Sequence, residues 1–216
     1  MTSVGLSRLH FPVTTLGPGR RIGIWFQGCS IRCRGCISLD TWAAGRKMTT
    51  LGAVTELLER WLPLADGFTI SGGEPFDQPR ALAALLREIR SKSDADVLVY
   101  SGYPFEVLTP HVAEMDGLID ALITDPFEID DDRHLALRGS GNQRLHCLTP
   151  LGVDRFAQYE RTVASDDKAF DLMMDDSGTI WLAGIPGRND FKRLREFLES
   201  QHHTIVTTED RLSETR

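Results

Sequence analysis

Three cysteines stand close together in the run Gly28-Cys29-Ser30-Ile31-Arg32-Cys33-Arg34-Gly35-Cys36. The spacing is C-x3-C-x2-C, so one short loop can bring three thiolates to a single inorganic centre. A structural zinc site wants four ligands in a closed tetrahedron. Three local ligands leave one coordination position open. A [4Fe–4S] cluster is held by cysteine thiolates, and with three of them it keeps one iron for an outside ligand. The fourth cysteine, Cys147, sits in the apolar context Leu145-His146-Cys147-Leu148. A cysteine there reads most simply as a small buried filler. As a fourth ligand it would close the site and make the chain a zinc or electron-transfer module.

A second motif, Ser71-Gly72-Gly73-Glu74-Pro75, follows an apolar segment that reads as a strand. Two glycines allow the backbone to come close to a ligand. Glu74 offers a carboxylate to a cationic group. Strand ends are where ligand sites of α/β folds gather.

The elements that must position these groups alternate. Leu6–Val13 and Arg21–Phe26 read as strands around the turn Leu16-Gly17-Pro18-Gly19. Val54, Leu57, Leu58, Trp61 and Leu62 have the spacing of one amphipathic helix. Then come a strand at Gly67–Ser71, a helix opening near Asp77 and Pro79, a strand at Val97–Tyr100, a helix over Phe105–Met115 and a strand at Leu118–Thr124. This alternation predicts βα units on a parallel sheet. A complete eight-fold barrel takes ~250 residues, so any barrel here is partial and open along one side. Beyond residue 128 the pattern changes. Glu128–Arg133 reads as an acidic loop and Asp130-Asp131-Asp132 as a solvated turn, without the spacing of a calcium loop. Leu145–Leu148 reads as a short strand. Phe170–Met174 and Thr179–Ala183 flank the hairpin turn Asp175-Asp176-Ser177-Gly178, and a helix starts at Asn189 or Asp190. The tail after Thr207 is polar. Residues 1–150 are expected to form the core and 151–216 an extension of hairpin, helix and tail.

Composition bounds the function. The 216 residues are 41% hydrophobic and 25% charged, too apolar for a disordered chain, and 19 Gly with 10 Pro exclude a collagen-like fibre. Lys and Arg number 24 against 31 Asp and Glu, a net charge of −7, which argues against a phosphate-gripping nucleic-acid binder. No apolar run is long enough to span a membrane, and the N-terminus lacks the apolar core of a signal peptide. A cytoplasmic protein is expected, and clustered thiols there mean metal rather than disulfides.

With these residues in view, the chain resembles the radical S-adenosylmethionine superfamily, and within it the small activating enzymes, above all the anaerobic ribonucleotide reductase activating proteins. Gly28–Trp42, GCSIRCRGCISLDTW, resembles that family's cysteine loop with its trailing Thr-Trp. Ser71–Pro75 resembles its Gly-Gly-Glu/Asp-Pro turn. Tyr100-Ser101-Gly102-Tyr103 resembles a later Thr-Gly-Tyr element. Asp125-Pro126-Phe127 and Leu137–Arg144 resemble its late Asp-Gly-Pro-Phe and Arg-Gly-Ser-x-Asn-Gln-Arg segments.

The resemblance implies an α/β fold, a partial and laterally open barrel with a small hairpin-plus-helix extension. It implies a [4Fe–4S] cluster held by Cys29, Cys33 and Cys36, and S-adenosylmethionine chelating the fourth iron. Gly72, Gly73, Glu74 and Pro75 would bind the methionine amino group, with Glu74 or nearby backbone carbonyls as acceptors, Ser101 would touch the ribose, and Asp125 would contact cofactor or substrate or else cap its loop. Arg138, Asn142, Gln143 and Arg144 would order a loop over the site or guide a partner peptide. Trp42 would pack over the cluster loop or simply fill the core. The implied reaction is one-electron cleavage of the cofactor to methionine and a 5′-deoxyadenosyl radical, which takes hydrogen from a polypeptide, most simply the glycine of a glycyl-radical enzyme. Partners would be that protein and an external donor such as flavodoxin or ferredoxin. Two alternatives stay open: a radical enzyme acting on another peptide or small molecule, and a non-catalytic iron–sulfur module. The family pattern ends near residue 150, and the 66 residues that follow carry no cysteine.

Overall fold

A computed structural model describes residues 2–131, 133–174, 179–187 and 189–204. The turn Asp175–Gly178, Asp132 and the tail beyond Thr207 lie outside the described residues.

The sequence opens with a long strand, β1 (Ser3–Val13), antiparallel to β2 (Arg21–Phe26), and β3 (Met48–Thr50) pairs with the start of β1. Then α1 (Leu51–Glu59), β4 (Gly67–Gly72), α2 (Pro79–Lys92), β5 (Asp96–Tyr100), α3 (Phe105–Glu114) and β6 (Ala121–Thr124) alternate. β7 (Arg144–Cys147) runs antiparallel to β6, and α4 (Pro150–Phe156) follows it. The seven-stranded sheet has the order β3-β1-β2-β4-β5-β6-β7, with β2, β4, β5 and β6 parallel. β8 (Phe170–Met174) and β9 (Ile180–Gly184) pair antiparallel, and α5 (Asp190–Ser200) ends the described chain.

Period-two alternation divides the sheet into two faces. Ile22, Ile24, Phe68, Ile70, Val97 and Val99 form one core with Leu82, Leu85 and Leu86 of α2 and Val54 and Leu58 of α1. Leu98, Ala121 and Ile123 point the other way and pack on Phe156 of α4. Trp25 of β2, with Val13 and Leu16, packs on Ala183 of β9. The second face is therefore covered by chain that follows residue 150.

Local chemistry explains most boundaries. Thr50 caps α1 by accepting from the Ala53 amide, and Thr149 caps α4 by accepting from Gly152. The stripe Val54–Leu62 does not form one helix. α1 stops at Glu59, and Trp61 and Leu62 belong to a separate tight turn. Pro63 disfavours helical backbone at the residue before it and supplies no amide. The strand expected from Leu118 begins only at Ala121, after a turn in which Gly117 adopts φ 71°. β3 and α4 carry no strong periodic signal and were not expected.

At the end of the sheet away from the motifs, Arg21 forms a buried ion pair with Asp96 (2.6 Å), side chains 0% and 1% exposed. Arg155 of α4 approaches the other Asp96 oxygen at 3.0 Å. The Arg21 guanidinium also donates to Thr69 Oγ1 and the Phe68 carbonyl and lies over the Phe156 ring. The polar cluster thus fastens α4 beneath the parallel strands.

Candidate functional site

The cysteine loop leaves the C-terminal end of β2, where Gly28 turns the chain with φ 104°. The loop's far end returns to the same point: Gly28 N donates to the Thr41 carbonyl (2.6 Å) and Cys29 N to the Trp42 carbonyl (3.2 Å). Buried Gln27 donates its side-chain amide to the Ala43 carbonyl at 2.8 Å. Within the loop Arg32 and Gly35 take positive φ, 54° and 79°. Cys29 Sγ accepts from Arg32 N (3.5 Å) and Cys36 Sγ from Ser38 N (3.4 Å). Burial pushes the Cys29 and Cys33 thiols up, against the backbone donors that favour their thiolates.

The Gly-Gly turn packs directly against this loop. Gly73 N donates to the Phe26 carbonyl and Glu74 N to the Gly28 carbonyl, each at 2.8 Å. A Cβ on Gly72 would overlap the Phe26 backbone, and one on Gly73 the Gly28 carbonyl. The glycines therefore serve a close approach of chain to chain. Glu74 is 1% exposed. Its Oε1 accepts from Phe76 N (3.0 Å) and Ser101 Oγ (2.9 Å), and its Oε2 from Gly102 N (2.8 Å). Burial pushes its carboxyl up to about 7 despite these three donors. Glu74 is a strut between the ends of β4 and β5.

A second clasp was not foreseen. Asp77 accepts from Ser30 N (2.7 Å), Ser30 Oγ (2.9 Å) and Tyr103 OH (2.8 Å), and the two hydroxyls lie 2.8 Å apart. It ties the cysteine loop to the residues after β4 and β5. Nothing local marks these polar side chains, because the partners are far apart in sequence.

One cavity gathers most of the expected residues. Cys29, Cys33, Cys36, Gly72, Gly73, Glu74 and Ser101 all line it, with Trp42, Gly102 and Gln143. Pro75 and Asp125 are not among its lining residues. Pro75 is buried in the turn after Glu74. Asp125, at φ 81°, accepts from Arg144 Nε (2.7 Å) and Thr124 Oγ1 (2.9 Å). Gln143 donates to the Asp125 carbonyl and accepts from Gly139 N, Asn142 donates to the Pro126 carbonyl, and Arg144 also pairs with Glu106. These residues order the 125–144 loop. Arg138 is buried elsewhere, donating to the Tyr159 carbonyl and Glu160. Cys147 packs beside Leu98 and Phe156, and is not among the lining residues. The cavity's remaining wall, Leu182–Pro186, was not anticipated.

The donor set fits a cluster. Among the described residues no three His, Cys, Asp or Glu side chains converge on the point a single ion would occupy. A cubane needs no such convergence, since each thiolate goes to a different iron. Trp42 lines the cavity with its indole Nε1 buried and unpartnered, a donor for an acceptor such as cluster sulfide.

The model of the 4Fe-4S single cluster domain family matches residues 15–146, more than half of the chain. The chain belongs to this family. As a 4Fe-4S single cluster domain it carries a [4Fe–4S] cluster. It is similar to the pyruvate formate-lyase-activating enzyme of Clostridium pasteurianum, 32% identical over 136 residues, 59% of this chain and 54% of that protein. It is also similar to the pyruvate formate-lyase-activating enzyme of Staphylococcus aureus (strain USA300), 31% identical over 142 residues, 61% of this chain and 56% of that protein. The chain spans about half the length of the curated relatives it matches. Among the described residues no helix is long and apolar enough to cross a membrane.

Proposed function

We propose that the chain is a radical S-adenosylmethionine enzyme of the activating type, acting on a polypeptide. The observation that carries this reading is one cavity shared by Cys29, Cys33, Cys36, the Gly72–Gly73 turn and Ser101, at the C-terminal ends of β2, β4 and β5. The seven-stranded sheet is read as the partial, laterally open barrel, residues 1–150 as the core, and 151–216 as the substrate-side extension.

Cys29, Cys33 and Cys36 would hold three irons, leaving the fourth for the amino and carboxylate groups of S-adenosylmethionine. When bound, the cluster and that cofactor supply one-electron cleavage of the sulfonium and abstraction of a hydrogen atom from substrate. The chain's own residues do the positioning. The Gly72–Gly73 turn sets the depth of the cavity, Glu74 fixes Ser101 and Gly102 against it, and the Asp77 clasp holds the cysteine loop. Since the Glu74 oxygens already serve three protein donors, backbone carbonyls of the turn are the acceptors for the methionine amino group. Asp125 reaches cofactor or substrate only if Arg144 releases it.

The substrate is a glycyl-radical protein, with flavodoxin or ferredoxin as electron donor, in the cytoplasm. The late motifs favour an anaerobic ribonucleotide reductase as that protein; the names of the relatives favour a formate lyase. A co-encoded glycyl-radical protein of either type would identify it. A non-catalytic four-cysteine module is disfavoured because Cys147 is not among the residues that line the cavity.

The test is anaerobic. The protein is reconstituted with iron and sulfide, reduced with dithionite and given S-adenosylmethionine, and 5′-deoxyadenosine is followed by chromatography. The expected result is product formation that Cys33→Ser abolishes and Cys147→Ser leaves in place. A fully loaded cluster that makes none, with candidate partners present, overturns the reading.

A further inference from the structure

The cavity has a wall that none of the cluster motifs supplies. Leu182–Pro186, from the end of β9 and the chain after it, line the same cavity as the three cysteines. This wall is fastened to the sheet. Asp171 of β8 accepts from Thr14 N (2.6 Å), Thr14 Oγ1 (2.8 Å) and Thr15 Oγ1 (3.1 Å), in the turn between β1 and β2. The single Thr15 hydroxyl hydrogen is shared between that carboxylate and the Ala183 carbonyl, 2.9 Å away. Ala183 is 2% exposed against Val13, Leu16 and Trp25, and Ile185 packs on the same group.

The chemistry of this side is apolar. Leu182, Ile185 and Pro186 join Leu16 and Trp25 in lining the cavity. The acidic residue that lines the cavity, Glu74, has both oxygens engaged by Phe76, Ser101 and Gly102. A charged group entering here would shed its water against side chains that return no partner. Small apolar side chains on an entering peptide carry no such cost.

We propose that the β8–β9 hairpin is the substrate-selecting wall of the site. Leu182–Pro186 favour a substrate segment whose residues beside the hydrogen donor are small and apolar, and turn away charged ones. The inference rests on the radical-enzyme reading above and names the substrate class of that site.

Two blocked tripeptides test it, each with a dideuterated central glycine, one flanked by alanines and the other by glutamates. They are offered to the reconstituted full-length protein with S-adenosylmethionine and dithionite. The readout is the deuterium content of the 5′-deoxyadenosine, a ratio independent of total turnover. Binding of the same peptides is measured in parallel by ligand-observed NMR, which needs no turnover. The uncharged peptide is expected to give the larger signal by about tenfold or more in both assays. Asp171→Ala frees the hairpin and should bring the ratio to within about twofold of one. Ile185→Ala, which keeps the clasp, should narrow it in the same direction. Equal signals from the two peptides in the wild type overturn the inference. So does a ratio unchanged in both variants at wild-type cluster absorbance. If the wild type forms no 5′-deoxyadenosine, the enzyme reading fails and the NMR ratio alone decides the wall.

Discussion

Glu74 sits at the centre of the site as a buried carboxyl that holds two strand ends together. Its raised proton affinity makes stability depend on pH. The unfolded side chain titrates near 4.5 and the folded one near 7. The group's contribution is therefore complete below about 4.5 and is lost as pH rises through about 7. Urea melts between about pH 5 and about pH 8 should show wild type losing stability relative to Glu74→Gln, whose missing acceptor costs the same at every pH. A flat difference would mean that the three donors hold the carboxylate ionised throughout. Trp42 gives a second test at this scale. Its buried, unpartnered Nε1 lines the cluster cavity. Hydrogen bonds to cluster sulfur favour the reduced, more negative state. Trp42→Phe keeps the ring and removes the donor, so the cluster's reduction potential should fall in an anaerobic redox titration. An unchanged potential would leave Trp42 with packing alone.

At the scale of elements, the parallel strands do two jobs at opposite ends. Their C-terminal ends present the cysteine loop, the Gly72–Gly73 turn and Ser101. Near their N-terminal ends Arg21 of β2 and Arg155 of α4 share Asp96 of β5. Asp96→Ala would leave Arg21 charged and unpaired in the interior. Removing one partner of a buried pair costs about 3–5 kcal/mol, so the variant should melt markedly earlier in chemical denaturation. A change below about 1 kcal/mol, the scale of an exposed pair, would mean that Thr69 and the Phe68 carbonyl satisfy Arg21 by themselves. The clasp of Ser30, Asp77 and Tyr103 belongs to this scale too, since it joins three separate connections by one carboxylate.

For the whole molecule, the cysteine loop is closed by protein contacts of its own, through Gln27, Thr41 and Trp42. Cluster binding to the folded chain must then add stability, because the unfolded chain offers no such constellation. Anaerobic cluster loading should raise the melting temperature by ~5 °C or more, and chelation should reverse it. Cys33→Ser should show no such shift. The spacing of Cys29, Cys33 and Cys36 and the Gly72–Glu74 turn determined the cluster family, because those residues are chemical groups at fixed local separations. The alternation of strand and helix over residues 50–125 likewise determined a parallel sheet, since periodicity is local. Helix and strand ends were less legible at Glu59 and Ala121, where Pro63 and Gly117 act against the apolar pattern. Only the tertiary structure decided that Glu74 spends its carboxylate on Ser101 and Gly102, that Asp125 is held by Arg144 off the cavity wall, and that Leu182–Pro186 complete the cavity. Each of these depends on chain segments brought together by packing of the two sheet faces, which no local spacing encodes.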